Sequence, residues 1–411
     1  MGFHEIERKI SIQSALQLIY SNTSRLGGEE VEVTASLGRI VGSEIRSSID
    51  VPHFDRSAMD GFAVVAEDTF GCSQQKPATL VVAGESRMGE STEIEIVGAQ
   101  SVEVATGSQI PRGADAVVKI ENTSRVGNSI RVFSPVTPGE NVSKVGEDVK
   151  RGDILVESGE VVRPQEISIL LACGIRRIIA ARRPLVGVIA TGNELLEPQG
   201  VPVPGKVFDV NSYSLSAYVQ QYGGIPVNMG LVEDSFEELK EALGAASTCD
   251  IVIFTGSTSV GKKDMLPEVV SSVGKIVFRG VSMRPGGPTA FGLVNGKQVF
   301  LLPGFPVAAM ISFETFVGPT MRKMMGAKIL DIRLQVPAVL ASRVPSALGR
   351  RDIVRVRLAT AEDGIRIAYP VRSAGSGIIS SMTRADGIIE IPEEIEGLEK
   401  GSNVIVKLFV R

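Results

Sequence analysis

Three stretches of this chain join a short apolar run to a turn of small polar residues. The first runs from Ile251 to Asp264. Ile-Val-Ile-Phe leads into Thr255-Gly256-Ser257-Thr258-Ser259, then Lys262, Lys263 and Asp264 precede a helical pattern over Met265–Val270. Four apolar, mostly β-branched residues are too few for a helix and read as a buried strand. A small-residue turn from strand to helix leaves backbone N–H groups uncovered, which suits an anion. The second stretch ends Leu185–Ala190 in Thr191-Gly192-Asn193-Glu194. The third ends Gln298–Leu302 in Pro303-Gly304-Phe305-Pro306, ahead of a helical run over Val307–Val317. Taken singly, each is an ordinary turn, with Asp264 the N-cap of the helix that follows. If the strands are parallel in one sheet, all three turns project from its carboxyl edge, where open α/β sheets bind ligands. That convergence points to an anion or nucleotide site.

Composition narrows the chemistry. With two His, His4 and His53, and no Trp, a Ser–His–Asp triad or a His-rich zinc site is hard to assemble. Carboxylates, Lys/Arg, hydroxyls and a hard cation such as Mg²⁺ are what remain. A net charge of −4 argues against non-specific nucleic-acid binding. No apolar run reaches the length of a membrane span. Met1–Lys9 is polar and charged, unlike a signal peptide. Cys72, Cys173 and Cys249 lack metal-ligand spacing and read as free thiols in a reducing cytoplasm.

The elements that must position these turns follow from the hydrophobic period. Ser11–Ser21 reads as a helix capped by Ser11. The loop Asp50–Val64 is dense in acids and small residues, with Asp60-Gly61 a favoured turn pair and Ser57 able to cap locally. From Ala78 to Ser143 the pattern is all β, with runs such as Ile94–Val97 and Ser129–Phe133. Gly146–Asp153 is a second acidic turn, and a helix over Pro164–Cys173 is expected to bring the chain back onto the amino-terminal helix.

From Pro184 strands and helices alternate. The strands are Leu185–Ala190, Pro226–Leu231, Ile251–Phe254, Ile276–Arg279 and Gln298–Leu302, with helices over Ser212–Tyr222, Ser235–Ala246 and Leu266–Ser272. Asn295-Gly296 predicts a two-residue hairpin and one antiparallel strand. The expected architecture is multidomain α/β plus β: a discontinuous domain (1–50 with 144–183), an inserted β domain (51–143), a doubly wound, mostly parallel α/β domain (184–326) and a β-barrel-like C-terminal domain (327–411).

The loops as a set resemble one family. Pro52–Val64 with its Ser-Ala-Met-Asp-Gly core, Ala190–Leu195, Thr255–Asp264, Met283–Pro288, Leu302–Pro306 and Gly375–Pro392 look like the MoeA family of molybdopterin molybdenumtransferases, which includes the gephyrin E domain. The resemblance spans nearly the whole chain. It implies a MogA-like α/β domain and a homodimer whose site is shared between the α/β domain of one subunit and the β domain of the other. It further implies Mg²⁺-dependent insertion of molybdate, or tungstate, into adenylylated molybdopterin with release of AMP. A MogA/MoaB-like adenylyltransferase would then be a partner, and no nucleic acid or membrane is implied.

Carried over to this chain, Asp264, Glu194 and Asp60 are the catalytic carboxylates, Asp264 and Glu194 holding the metal. Thr191, Gly192, Thr255, Gly256, Ser257, Thr258, Ser259, Pro303 and Gly304 would line the substrate site. Arg284, Ser57, Thr106, Asp148 and Asp234 would join them, although Asp234-Ser235 before a helical run also reads as a plain N-cap. The chain departs from the family pattern where Gly256-Ser257 replaces Gly-Gly, Arg284-Pro-Gly-Gly287 replaces Lys-Pro-Gly-Lys, and Phe305 replaces Asn. Those departures keep open a non-catalytic paralogue that binds the nucleotide or acts as a scaffold, and the likeness of the α/β domain alone to MogA keeps open a molybdopterin adenylyltransferase.

Overall fold

The computed structural model describes residues 9–256, 265–371 and 377–410. Its α/β sheet has six strands in the order Ile225–Val232, Leu185–Thr191, Ile251–Gly256, Lys297–Pro303, Ala290–Val294, Lys275–Arg279. The first four are parallel. Ala290–Val294 turns back antiparallel through Asn295 and Gly296, both at positive φ (49° and 76°), as the hairpin signal predicts. Alternate residues of Ile251–Phe254 face opposite sides. Ile251 and Ile253 pack with Leu215 and Val219 of the helix Asn211–Gln221. Val252 and Phe254 pack with Leu239 of Phe236–Ala245 and Val269 of Leu266–Val273. Burial on both faces is why these strands carry unbroken apolar runs.

The amino-terminal helix, Ile12–Ser21, is capped by Ser11, whose hydroxyl accepts the Ser14 N–H at 3.1 Å. Its apolar face goes elsewhere than expected. Ile12, Ala15 and Ile19 join the core of the α/β unit. There the Gln298 amide donates to the Asn22 carbonyl at 3.0 Å and to the Thr23 hydroxyl at 2.7 Å. The helix Pro164–Ala172 buries Leu170 in a separate cluster with Val33, Val41, Val156, Val162 and Ile178. That unit is tied by antiparallel pairing of Gly28–Glu32 with Arg177–Ala181.

The inserted β sheet runs Ala116–Lys119, Gly61–Val64, Gln100–Val104, Ala78–Ser86, Ser129–Val132, Thr123–Val126. Ile94–Val97, whose alternation predicts a strand, makes only an isolated bridge from Glu95 to Arg112. At the carboxyl end, Arg351–Thr360, Arg366–Pro370, Gln335–Leu340, Asn403–Leu408 and Gly387–Ile391 close into a five-stranded barrel.

One backbone junction joins three parts of the chain. Ile10 bridges Val281, and Ser282 N–H donates to the Ile10 carbonyl at 2.8 Å. Met283 and Arg284 then pair with Arg351 and Asp352 of the barrel. The segment 281–284 is therefore the middle of a three-chain seam.

Candidate functional site

The register of the parallel strands sets Ala190 beside Thr255, and Gly256 beside Pro303. All three turns leave the same edge, and their contacts are close: a Cβ on Gly304 would stand 2.8 Å from the Gly256 carbonyl oxygen. Asn211, at the start of the helix behind the edge, locks them. Its Nδ2 donates to Thr255 Oγ1 at 2.9 Å and to the Gly304 carbonyl at 2.8 Å. The Thr255 hydroxyl in turn donates to the Pro303 carbonyl at 3.2 Å. Thr255 is 1% exposed, and its hydroxyl ties strand ends together. The buried Asp209 carboxylate accepts the N–H groups of Asn211 at 2.9 Å and Ser212 at 3.1 Å. Sequence reading missed Asn211 and Asp209. The only local signal was an Asp two residues ahead of a helical run.

Two carboxylates meet at this edge. The Glu194 carboxylate folds back over Gly192, where a Cβ would stand 2.8 Å from Glu194 Oε1. Asp234 approaches from the neighbouring strand, its N–H donating to Asn193 Oδ1 at 3.3 Å. The cap of the following helix is Ser235, whose hydroxyl accepts the Glu238 N–H, so the Asp234 carboxylate is not spent on capping. Burial, then the charge of Glu194, raise the Asp234 pKa above its ordinary value. The Thr191 hydroxyl opposes that shift without making a hydrogen bond of ordinary geometry, and it is buried. A carboxylate whose charge is disfavoured by burial and by a neighbouring carboxylate suits a divalent cation, and Mg²⁺ commonly takes one or two protein carboxylates and completes its shell with substrate phosphate and water. Among the described residues no group of three or more His, Cys, Asp or Glu could hold a metal. Asp264, with Ser257, Thr258 and Ser259, lies outside the described residues.

Beside the Pro303–Phe305 turn a cleft of about 510 Å³ separates the α/β unit from the barrel. Arg284, Arg350, Arg355 and Lys9 reach its wall, against Asp352 as the one carboxylate among its described lining residues. Arg350 Nε is held by Asp352 at 2.9 Å. Arg355 is 2% exposed, its Nε has no hydrogen-bond partner, and burial lowers its pKa. Phe305 stands 63% exposed at the mouth, and a Cβ on Gly377 would stand 3.5 Å from its ring. Arg355 escaped sequence reading because it sits in an alternating barrel strand, Ile353–Leu358, whose pattern does not say what the strand packs against.

The inserted β domain holds its own acidic loop. Asp60 Oδ1 accepts the Thr106 N–H at 2.7 Å and its hydroxyl at 2.9 Å, and these bonds lower the pKa of a fully exposed carboxyl. Ser57 is buried, its hydroxyl donating to the Met59 carbonyl, so it shapes the loop from beneath. Asp148 is exposed on the adjoining turn, its N–H donating to Val51. Gly61 admits no side chain: a Cβ would stand 2.0 Å from the Val118 carbonyl oxygen. The hydrogen bonds that order Ser57, Asp60 and Thr106 all lie within the inserted domain and its flank, not at the sheet edge.

Comparison with known proteins agrees along the chain. Residues 10–174 match the MoeA N-terminal region (domain I and II), 187–323 the model described as "Probable molybdopterin binding domain", and 337–409 the MoeA C-terminal region (domain IV). A relative from Methanocaldococcus jannaschii is 36% identical, covering 98% of this chain and 99% of its own. The molybdopterin molybdenumtransferase of Staphylococcus epidermidis is 33% identical, covering 97% of this chain and 95% of its own. A molybdopterin biosynthesis MoeA protein from Pyrococcus horikoshii superposes with a TM-score of 0.86 at 34% identity, covering 98% of this chain and all of that one.

Proposed function

The chain belongs to the MoeA family, and from that premise we propose that it is a molybdopterin molybdenumtransferase that inserts molybdate, or tungstate, into adenylylated molybdopterin with release of AMP. Its place is in molybdenum cofactor biosynthesis. One observation carries the reading: a single sheet edge carries a carboxylate pair beside the turn after Leu185–Thr191 and a cation-lined cleft beside the turn after Lys297–Pro303. An anionic nucleotide and an anionic metal substrate need both.

Glu194 and Asp234, with Asp264, would hold Mg²⁺, which offsets their repulsion and shares charge with the nucleotide phosphates. Arg284 and Arg355 hold the oxyanion in the cleft. Asn211 ties the Thr255 side chain to the Gly304 carbonyl, which fixes the end of one strand against the turn that follows the next. The Asp60 loop, ordered by its own domain, fits a site completed by a second subunit of a homodimer.

AMP release from adenylylated molybdopterin tests this, measured with Mg²⁺ and with molybdate, tungstate or neither. Oxyanion-dependent release that is lost in Asp264→Ala supports the transferase. Tight nucleotide binding without release under any oxyanion overturns it in favour of a non-catalytic paralogue, with Gly287 and Phe305 the positions to revert.

A further inference from the structure

We propose that Lys9, carried by the amino-terminal arm, is a binding residue of the cationic cleft and contacts the tetrahedral oxyanion held there. The inference rests on the reading of the cleft given above and adds to it a residue from a distant part of the chain.

The arm is placed by backbone bonds. Ile10 N–H donates to the Gly280 carbonyl at 3.3 Å, and Ser282 N–H to the Ile10 carbonyl at 2.8 Å. From there the Lys9 stem crosses Gly280, where a Cβ would stand 3.1 Å from Lys9 Cγ. Its ammonium ends over Gly287, 3.5 Å from where a Cβ at that position would lie. Glycine at both positions leaves the path open, and a long side chain at 287 would compete with Nζ for the same space. The family pattern that this chain resembles has a lysine where Gly287 stands. Lys9 returns that charge from another segment.

The charge balance of the cleft says what is missing. Among the described residues no carboxylate pairs with Lys9, whereas Asp352 is already engaged by Arg350. Arg284 is exposed on the wall, and Arg355 presents a buried, unpartnered Nε. Among the described residues, Lys9, Arg284 and Arg355 form no ion pair with a carboxylate. An ammonium is a compact point charge with three rotatable donors, which suits a small tetrahedral oxyanion better than a planar carboxylate. Free molybdate and a nucleotide phosphate share that chemistry.

The test is calorimetric titration of the full chain with molybdate and, separately, with AMP, comparing wild type, Lys9→Ala and Lys9→Arg, with thermal midpoints alongside. Lys9→Ala should weaken binding about tenfold, the usual worth of one charge-assisted hydrogen bond, and flatten its dependence on salt. Lys9→Arg should retain most of the affinity, and both midpoints should match wild type because Lys9 is exposed. Loss confined to molybdate identifies the free oxyanion as the ligand, and loss confined to AMP identifies the nucleotide phosphate. Unchanged binding of both in Lys9→Ala overturns the proposal while leaving the cleft reading intact. A wild-type chain that binds neither overturns both.

Discussion

Gly256 and Thr191 lie in such close apposition that a Cβ on Gly256 would stand 2.3 Å from the Thr191 carbonyl oxygen. The backbones of two strand ends therefore touch at the very point where their turns begin. Gly256→Ala must push the strands apart, as overpacking does, at a cost of about 1–3 kcal/mol. Chemical denaturation should read that loss, and AMP release should fall further than the remaining folded fraction explains. Normal stability with normal turnover would show the apposition to be loose.

Asp234 is held above its ordinary pKa by burial and by Glu194, so the folded state binds its proton more tightly than the unfolded chain does. A raised folded pKa means stability that falls as pH rises between the unfolded and folded values. Asp234→Asn should therefore raise the thermal midpoint at neutral pH, gain nothing below about pH 4, and remove Mg²⁺-dependent activity. Glu194→Gln should bring the Asp234 titration, followed by carboxyl NMR, back toward its ordinary value. A midpoint that drops in Asp234→Asn would mean the carboxylate is a structural anchor.

The Asp60 carboxylate is fully exposed and accepts hydrogen bonds from Thr106 of its own domain. Asp60→Ala should lose turnover with its thermal midpoint unchanged. Mixed with inactive Asp234→Asn under conditions of subunit exchange, it should restore roughly a quarter of the sites if the two loops come from different subunits of a two-fold dimer. No restoration in verified heterodimers would place both residues in a site made by one chain.

Glu314 sits in the π-turn Phe313–Val317, fully buried, with neither carboxyl oxygen hydrogen-bonded. Arg333 lies 3.8 Å away but is held by Asp331 at 2.8 Å. Burial pushes the Glu314 pKa up to about 7; Arg333 works against the shift and Asp331 with it. The folded state again binds the proton more tightly, so stability declines as pH rises from the ordinary carboxyl range through about 7. Glu314→Gln should raise the thermal midpoint at about pH 8 and leave it near wild type at about pH 5. An equal gain at both would assign the effect to packing.

Local pattern carried much of this molecule. The strands of the α/β sheet, the Asn295-Gly296 hairpin and the Ser11 cap follow from hydrophobic period and turn chemistry, which act over a few residues. What the pattern leaves open is the neighbour that covers a surface. The face of Ile12, Ala15 and Ile19 is plainly apolar, yet nothing local says that it packs beside Phe300 instead of Leu170. Arg355 occupies an alternating barrel strand, and nothing local says that it lies buried at the wall of the cleft beside the α/β unit. Residue type alone does not say that the Thr255 hydroxyl is shared between Pro303 and Asn211; strand order does. Glu194 and Asp234, from turns 40 residues apart by their numbering, needed the resemblance to be put together at all.

The helix Ile12–Ser21 leaves the ribosome well before the segment that anchors it. Asn22 waits for the amide of Gln298, 276 residues further on. Through that interval the nascent chain completes its inserted β domain while Ile12, Ala15 and Ile19 have no core to enter. Exposed apolar faces of this kind invite premature association during synthesis. The order of translation also means that Lys9 reaches its cleft after the segment 281–284 and the barrel strand from Arg351 exist to receive it. A chain stalled before that point would carry a finished β domain and an unbuilt cleft.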